Sequence, residues 1–142
     1  MTDTGLSQAE SRDLRRVAGL MVPASEAYKV PGADDPKIVA DIEKSIGRDM
    51  GDMHKALAAL AGIADQDDAT AMARAEAFRS AGGSAVAAIE RCVLQCYYRD
   101  DRVVISLGLE ARPPFPLGHT LEQGDWSLLD PVRKRAKMWR DA

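Results

Sequence analysis

The stretch running from Ser84 to Gly108, SAVAAIERCVLQCYYRDDRVVISLG, constrains this chain most, because its apolar residues recur at a spacing that only a helix can place on one side. Val86, Ile89, Val93, Leu94 and Tyr97 fall on that side, while Glu90, Arg91, Gln95 and Arg99 fall mostly between them. Ser84 is placed to cap the helix, its side-chain oxygen accepting from a first-turn backbone N–H that has no partner within the helix. A face this wide needs cover on more than one side, some of it expected from the earlier segments and more from the proline-rich segment after Gly108.

Those segments read as helices too. Ser7-Gln8-Ala9-Glu10 fits the capping box, in which the serine and the glutamate three residues later satisfy each other's backbone donors. Leu14, Val17, Ala18 and Met21 follow as an apolar face widened by Leu20, and Pro23 ends the helix near Val22, since the residue before proline is pushed out of the helical region. Pro23, Pro31 and Gly32 then mark a surface loop to Asp35, in which Tyr28 is the side chain best suited to docking. Asp35-Pro36 starts a second helix, with aspartate as cap and proline where its missing N–H costs nothing, and Ile38, Val39, Ile42 and Ile46 form its stripe. Gly47 and Gly51 predict a break near Met50 to Asp52, followed by a face of Met53, Leu57, Leu60 and Ile63. Beyond the acidic run Asp65-Gln66-Asp67-Asp68, a shorter helix over about Ala69 to Ser80 is expected to bury Met72, Ala75 and Phe78 before Gly82-Gly83 stops it. Asp100 or Asp101 caps a short helix over Arg102 to Leu107; a strand there would find no second strand to pair with. The expected fold class is therefore all-α, a small helical bundle over residues 1–108.

From Leu109 the character changes. Residues 109–142 hold four of the seven prolines and both tryptophans, with no helical stripe of useful length. Arg112-Pro113-Pro114-Phe115-Pro116 must be extended, because each proline fixes its own backbone angle and restricts the residue before it. Leu117, Leu121, Trp126, Leu128, Leu129, Met138 and Trp139 make this C-terminal tail too apolar for a disordered one, so it is expected to be ordered, mostly irregular, and to dock. Its end, Arg133 to Arg140, carries five basic residues in eight, suited to an acidic partner or to the run near Asp65. Over the whole chain the formal net charge is −3, which supplies no general attraction to nucleic acid or anionic membrane.

Chemistry-bearing patterns are sparse. No glycine-rich loop follows a strand, and no serine sits in a nucleophile elbow. Cys92 and Cys96 share one helical face and read as reduced core thiols; two ligands close neither a zinc site nor an iron–sulfur cluster. His119, Glu122 and Asp125 can be drawn as a metal site, but on an irregular segment such proximity is common by chance. No catalytic, cofactor-binding or metal-ligating residue is assigned. What the residues support is binding, through Tyr28, Arg112, Pro113, Pro114, Phe115, Pro116, Trp126 and Trp139, where prolines lower the ordering cost and aromatic and arginine side chains supply contact energy.

Leu14-Arg15-Arg16-Val17-Ala18-Gly19-Leu20-Met21-Val22-Pro23-Ala24-Ser25, the loop pair Pro31-Gly32 with the helix at Ile38, and Tyr97-Tyr98-Arg99-Asp100 leading to Leu107-Gly108 together resemble the gluconate 2-dehydrogenase subunit 3 family, the small subunits of flavin-dependent dehydrogenases. The resemblance covers Leu14 to Gly108. It implies a helical, non-catalytic accessory subunit that binds and stabilises a larger FAD-containing oxidoreductase of the glucose-methanol-choline type, acting on sugars or related alcohols. FAD would then lie in the partner, and this chain would bind no cofactor itself. Arg15-Arg16 and the short apolar run after them have the outline of a twin-arginine export signal, but Asp13 and the capping arrangement fit a folded helix better, so a cytoplasmic complex is expected. The competing reading is a stand-alone helical interaction or regulatory module.

Overall fold

A computed structural model describes residues 5–113, 115–118 and 123–136. It divides into two compact units, 1–111 and 112–142. The described residues form seven α-helices and no strand, and none of these helices is long and apolar enough to cross a membrane. The all-α expectation therefore holds.

In the first unit, α1 spans Gln8–Met21, α2 Pro36–Ser45, α3 Met50–Ala59, α4 Asp68–Ala81, α5 Ser84–Tyr97 and α6 Asp101–Ser106. The two local start signals act as their chemistry requires. Ser7 and Glu10 form the full capping box at α1, and Asp35 caps α2 with Pro36 in its first turn. Helix α5 lies against α2 and α3, while α1 closes over α2, α3 and the 3-10 turn Ile63–Asp65. The core comprises Leu14 and Val17 of α1, Ile38, Ile42 and Ile46 around α2, Met53, Leu57 and Leu60 around α3, and Ile89, Val93, Cys96 and Tyr97 of α5. Each large aliphatic buried in this way contributes about 1.5–3 kcal/mol.

Four local expectations are corrected. The break between the second and third helices falls at the 3-10 turn Gly47–Asp49, not at Met50 to Asp52: Gly47 adopts φ +50°, which glycine accepts without strain, whereas Gly51 sits inside α3. Helix α4 starts one residue early, capped by Asp67 through Thr70 N at 3.0 Å, and buries Ala71 alone. Ala75 and Phe78 are partly covered, and Met72 stays 45% exposed, because only one side of α4 meets the bundle. Ser84 is the first residue of α5 and makes no side-chain cap; Gly83, at φ +98°, occupies the cap position. Leu94 points away from the core that takes up its neighbours Val93 and Tyr97.

The second unit contains a 3-10 turn, Trp126–Leu129, capped by Asp125 through Ser127 N, which runs directly into the single turn α7, Asp130–Arg133. Upstream, Arg112 Nη2 donates to the Gly118 carbonyl at 2.8 Å, closing the chain around Phe115 and Pro116.

Candidate functional site

The connection from α1 to α2 is a fixed loop. Val22 N–H closes the end of α1 on the Ala18 carbonyl, and the Val22 carbonyl then accepts from Ala33 N at 2.8 Å, so the loop leaves and returns at one point. Within it, Ser25 and Val30 exchange two backbone hydrogen bonds of 3.1 Å, and Lys29 turns the chain at φ +54°. Gly32 has no room for a side chain, since a Cβ there would lie 2.9 Å from the Ala24 backbone nitrogen. The Tyr97 hydroxyl reaches across from α5 and donates to the Pro31 carbonyl at 3.2 Å; burial pushes this phenol's pKa upward. Segments far apart in sequence, the α1 exit, Pro31-Gly32 and Tyr97, thus meet in one place.

The residues after Tyr97 extend the same join. Arg99 donates to Asp41 Oδ2 and to Ser45 Oγ, both at 2.7 Å, fastening α5 to α2. Asp100 caps α6 by accepting from Arg102 N, as Asp35 caps α2 by accepting from Lys37 N. The Arg102 guanidinium then binds both caps in bidentate fashion, at 2.9 and 3.0 Å to Asp100 and at 2.9 and 3.0 Å to Asp35. That guanidinium holds both carboxyl groups below the usual aspartate range. Tyr97, Arg99 and Asp100 are therefore structural, and what this region offers to solvent is Tyr28 and Tyr98.

Of the contact residues expected from sequence, Tyr28 lies in the first unit, 75% exposed on its loop. The rest belong to the second unit. Phe115 is 85% exposed beside Pro116, and Trp126 is 58% exposed, its indole Nε1 donating to Gln123 Oε1. Arg112 is committed to the Gly118 carbonyl, and Pro113 adjoins it. Pro114 and Trp139 lie outside the described residues, as do His119 and Glu122 of the drawn metal site. Sequence reasoning missed a set of exposed apolar side chains, Leu94 and Tyr98 at the end of α5 and Ile105, Leu107 and Leu109 on and after α6. The alternation Ile105, Leu107, Leu109 was the available signal.

Cys92 and Cys96 are both free and buried, and burial raises both thiols above the usual range, which suppresses the reactive thiolate. Among the described residues no group of three histidine, cysteine, aspartate or glutamate side chains is placed to hold a metal ion.

A cleft of about 540 Å³ runs between α1 and α4. One wall follows a stripe of α1 from Arg12 through Arg15, Arg16 and Gly19 to Leu20 and continues into Pro23, Ala24 and Asp34 of the following loop; the other is Ala64, Asp68 and Met72. The twin arginines have separate duties. Arg16 pairs with Asp68 at 2.6 Å, while Arg15 Nε donates to the Asp34 backbone carbonyl at 3.0 Å. Arg12 pairs with Asp65. The acidic run near Asp65 therefore finds cations on α1.

No family model, curated protein or solved structure matches the chain.

Proposed function

We propose that this chain is a non-catalytic accessory subunit that binds and stabilises a larger FAD-dependent sugar or alcohol dehydrogenase in the cytoplasm, the flavin residing in the partner. The observation that carries the reading is the display of large aromatic side chains on stiffened backbone. Tyr28 stands on a loop closed at both ends, Phe115 beside a proline within the Arg112–Gly118 closure, and Trp126 on a capped turn. Aromatic side chains presented in this way lose little conformational freedom on docking and dominate the energetics of protein interfaces. Leu94, Tyr98, Ile105, Leu107 and Leu109 add further exposed apolar side chains to the same unit as Tyr28. The resemblance of Leu14 to Gly108 to dehydrogenase small subunits supplies the class of partner.

The test is co-purification of the tagged full chain from its native host, with Tyr28→Ala, Phe115→Ala and Trp126→Ala compared against the unaltered chain. The reading expects a stoichiometric flavoprotein in the parent preparation and a loss of at least about fivefold in its recovery for Phe115→Ala or Trp126→Ala, the scale set by truncating an interface anchor worth more than 1 kcal/mol. A soluble monomer indifferent to all three changes would make the chain a stand-alone helical module instead.

A further inference from the structure

The cleft between α1 and α4 contains charges that have no partner among the described residues. Arg12 and Arg16 are each paired with an aspartate, but the terminal nitrogens of Arg15 have no partner among the described residues; only its Nε is engaged, and that bond aims the guanidinium. The carboxylate of Asp34 is likewise without a hydrogen-bond or ion-pair partner there, although it lines the same cleft. A free cation and a free anion share one wall, held together because the backbone carbonyl of Asp34 is what Arg15 binds.

Gly19, one turn after Arg15, has no side chain, and the space its Cβ would take is filled by Asp34, whose Cβ, Cγ and Oδ2 lie 3.0, 3.1 and 3.3 Å from that position, so the carboxylate is held against α1 one turn from Arg15. Beyond Gly19 the lining turns apolar at Leu20 and Met72. These two residues also line a second, mostly apolar cavity of about 160 Å³ between α1, α4 and α5, with Met21, Phe78 and Ile89 in its lining beside the charged Glu76, Arg79 and Glu90. Met72, unbranched and polarisable, and the one-sided packing of α4 leave the boundary between the two cavities adaptable. A few placed polar groups opening onto an apolar recess is the usual anatomy of a small-molecule site.

We propose that this cleft binds a free amino acid with a large apolar side chain: Arg15 donates to its carboxylate, Asp34 accepts from its ammonium group, and its side chain passes between Leu20 and Met72. The matched pair of charges selects a zwitterion. A simple anion would meet Asp34, and a simple cation would meet Arg15. The proposal is independent of the accessory-subunit reading and survives its failure.

The experiment is calorimetric titration of the full chain with L-leucine, L-methionine and L-phenylalanine, and with glycine, N-acetyl-leucine and leucinamide, which lack in turn the side chain, the cation and the anion. Each charged contact is worth a factor of about ten or more. Saturable one-to-one binding of at least one large apolar amino acid, about tenfold or more tighter than glycine and both blocked derivatives, is expected. Arg15→Gln and Asp34→Asn should each weaken it by a similar factor with the unliganded melting temperature unchanged. Met72→Asp, at an exposed position, should weaken leucine but leave glycine as it was. Failure of all three amino acids to bind, or equal binding of leucine and either blocked derivative, overturns the proposal.

Discussion

Asp13 offers the sharpest test of how the first unit is held together. It lies on α1 at 5% exposure, and both its carboxylate oxygens are used: Oδ2 accepts from Gly62 N and Oδ1 from Ala64 N, each at 2.9 Å. Gly62 adopts φ +75° and opens the turn Ile63–Asp65, so one side chain satisfies backbone donors of a turn that lies 49 and 51 residues further along the chain. Asp13→Ala removes two charge-assisted hydrogen bonds. Gly62 is an exposed residue and Ala64 a half-buried one, so water can replace part of what is lost and the net cost is about 2–3 kcal/mol, below the sum expected for two sealed donors. Asp13→Asn keeps one acceptor and turns an amide N–H₂ toward the other donor, and should recover less than half of the loss. The assay is urea unfolding followed by far-ultraviolet circular dichroism, because both tryptophans lie after Leu109 and fluorescence would not report on the helical unit. With a urea slope of roughly 1–3 kcal/mol/M, the midpoint should fall by about 0.7–3 M at unchanged slope. A change below about 0.5 kcal/mol, the range of an ordinary surface substitution, would refute the assignment of Asp13 as the tie between α1 and that turn.

Other consequences can be read in the same way. Glu10 is lowered to about 2 from the usual 4.5, first by the Ser7 hydroxyl, then by the Ser7 backbone N–H and by His54. Its stabilising effect is therefore fully present above about pH 4.5 and is lost as pH falls toward 2; solvent around this partly exposed carboxylate limits it to about 1–2 kcal/mol, and Glu10→Gln should flatten that limb of the stability–pH curve. Arg102→Met leaves Asp100 buried with Lys37, 3.9 Å away, as its remaining cation among the described residues; the half-exposed guanidinium makes the cost about 1–3 kcal/mol by chemical denaturation, and an unchanged midpoint would show the double clamp to be inert. Gly32→Ala forces its Cβ against the Ala24 backbone and should cost about 1–3 kcal/mol, whereas Gly124→Ala, which meets nothing, should cost under about 0.5 kcal/mol; equal melting temperatures would contradict the crowding at Gly32.

Local signals were legible and long-range ones were not. The capping box at Ser7 and the Asp35-Pro36 start needed only neighbours in sequence, so they could be read directly. Gly47 and Gly51 were equally good candidates for the break on composition, and only the three-dimensional path shows which of them takes positive φ. The periodicity of α4 named a face without saying how much of it meets a partner, which is why Met72 and Phe78 were expected deeper than they lie. The ties that position the loop and helix caps, Tyr97 to Pro31 and Arg102 to Asp35, span 66 and 67 residues and leave no local trace. Tyr28 could be picked out as an aromatic on a loop. The Arg15–Asp34 wall could not, because its character depends on which arginines the aspartates near Asp65 have already claimed.

The proposal that the chain works as part of a flavoprotein complex is tested by the absorption spectrum of whatever co-purifies with the tagged full chain from its native host. The claim predicts a flavin spectrum carried by a larger polypeptide in fixed ratio to this chain. A colourless, monomeric preparation would contradict it.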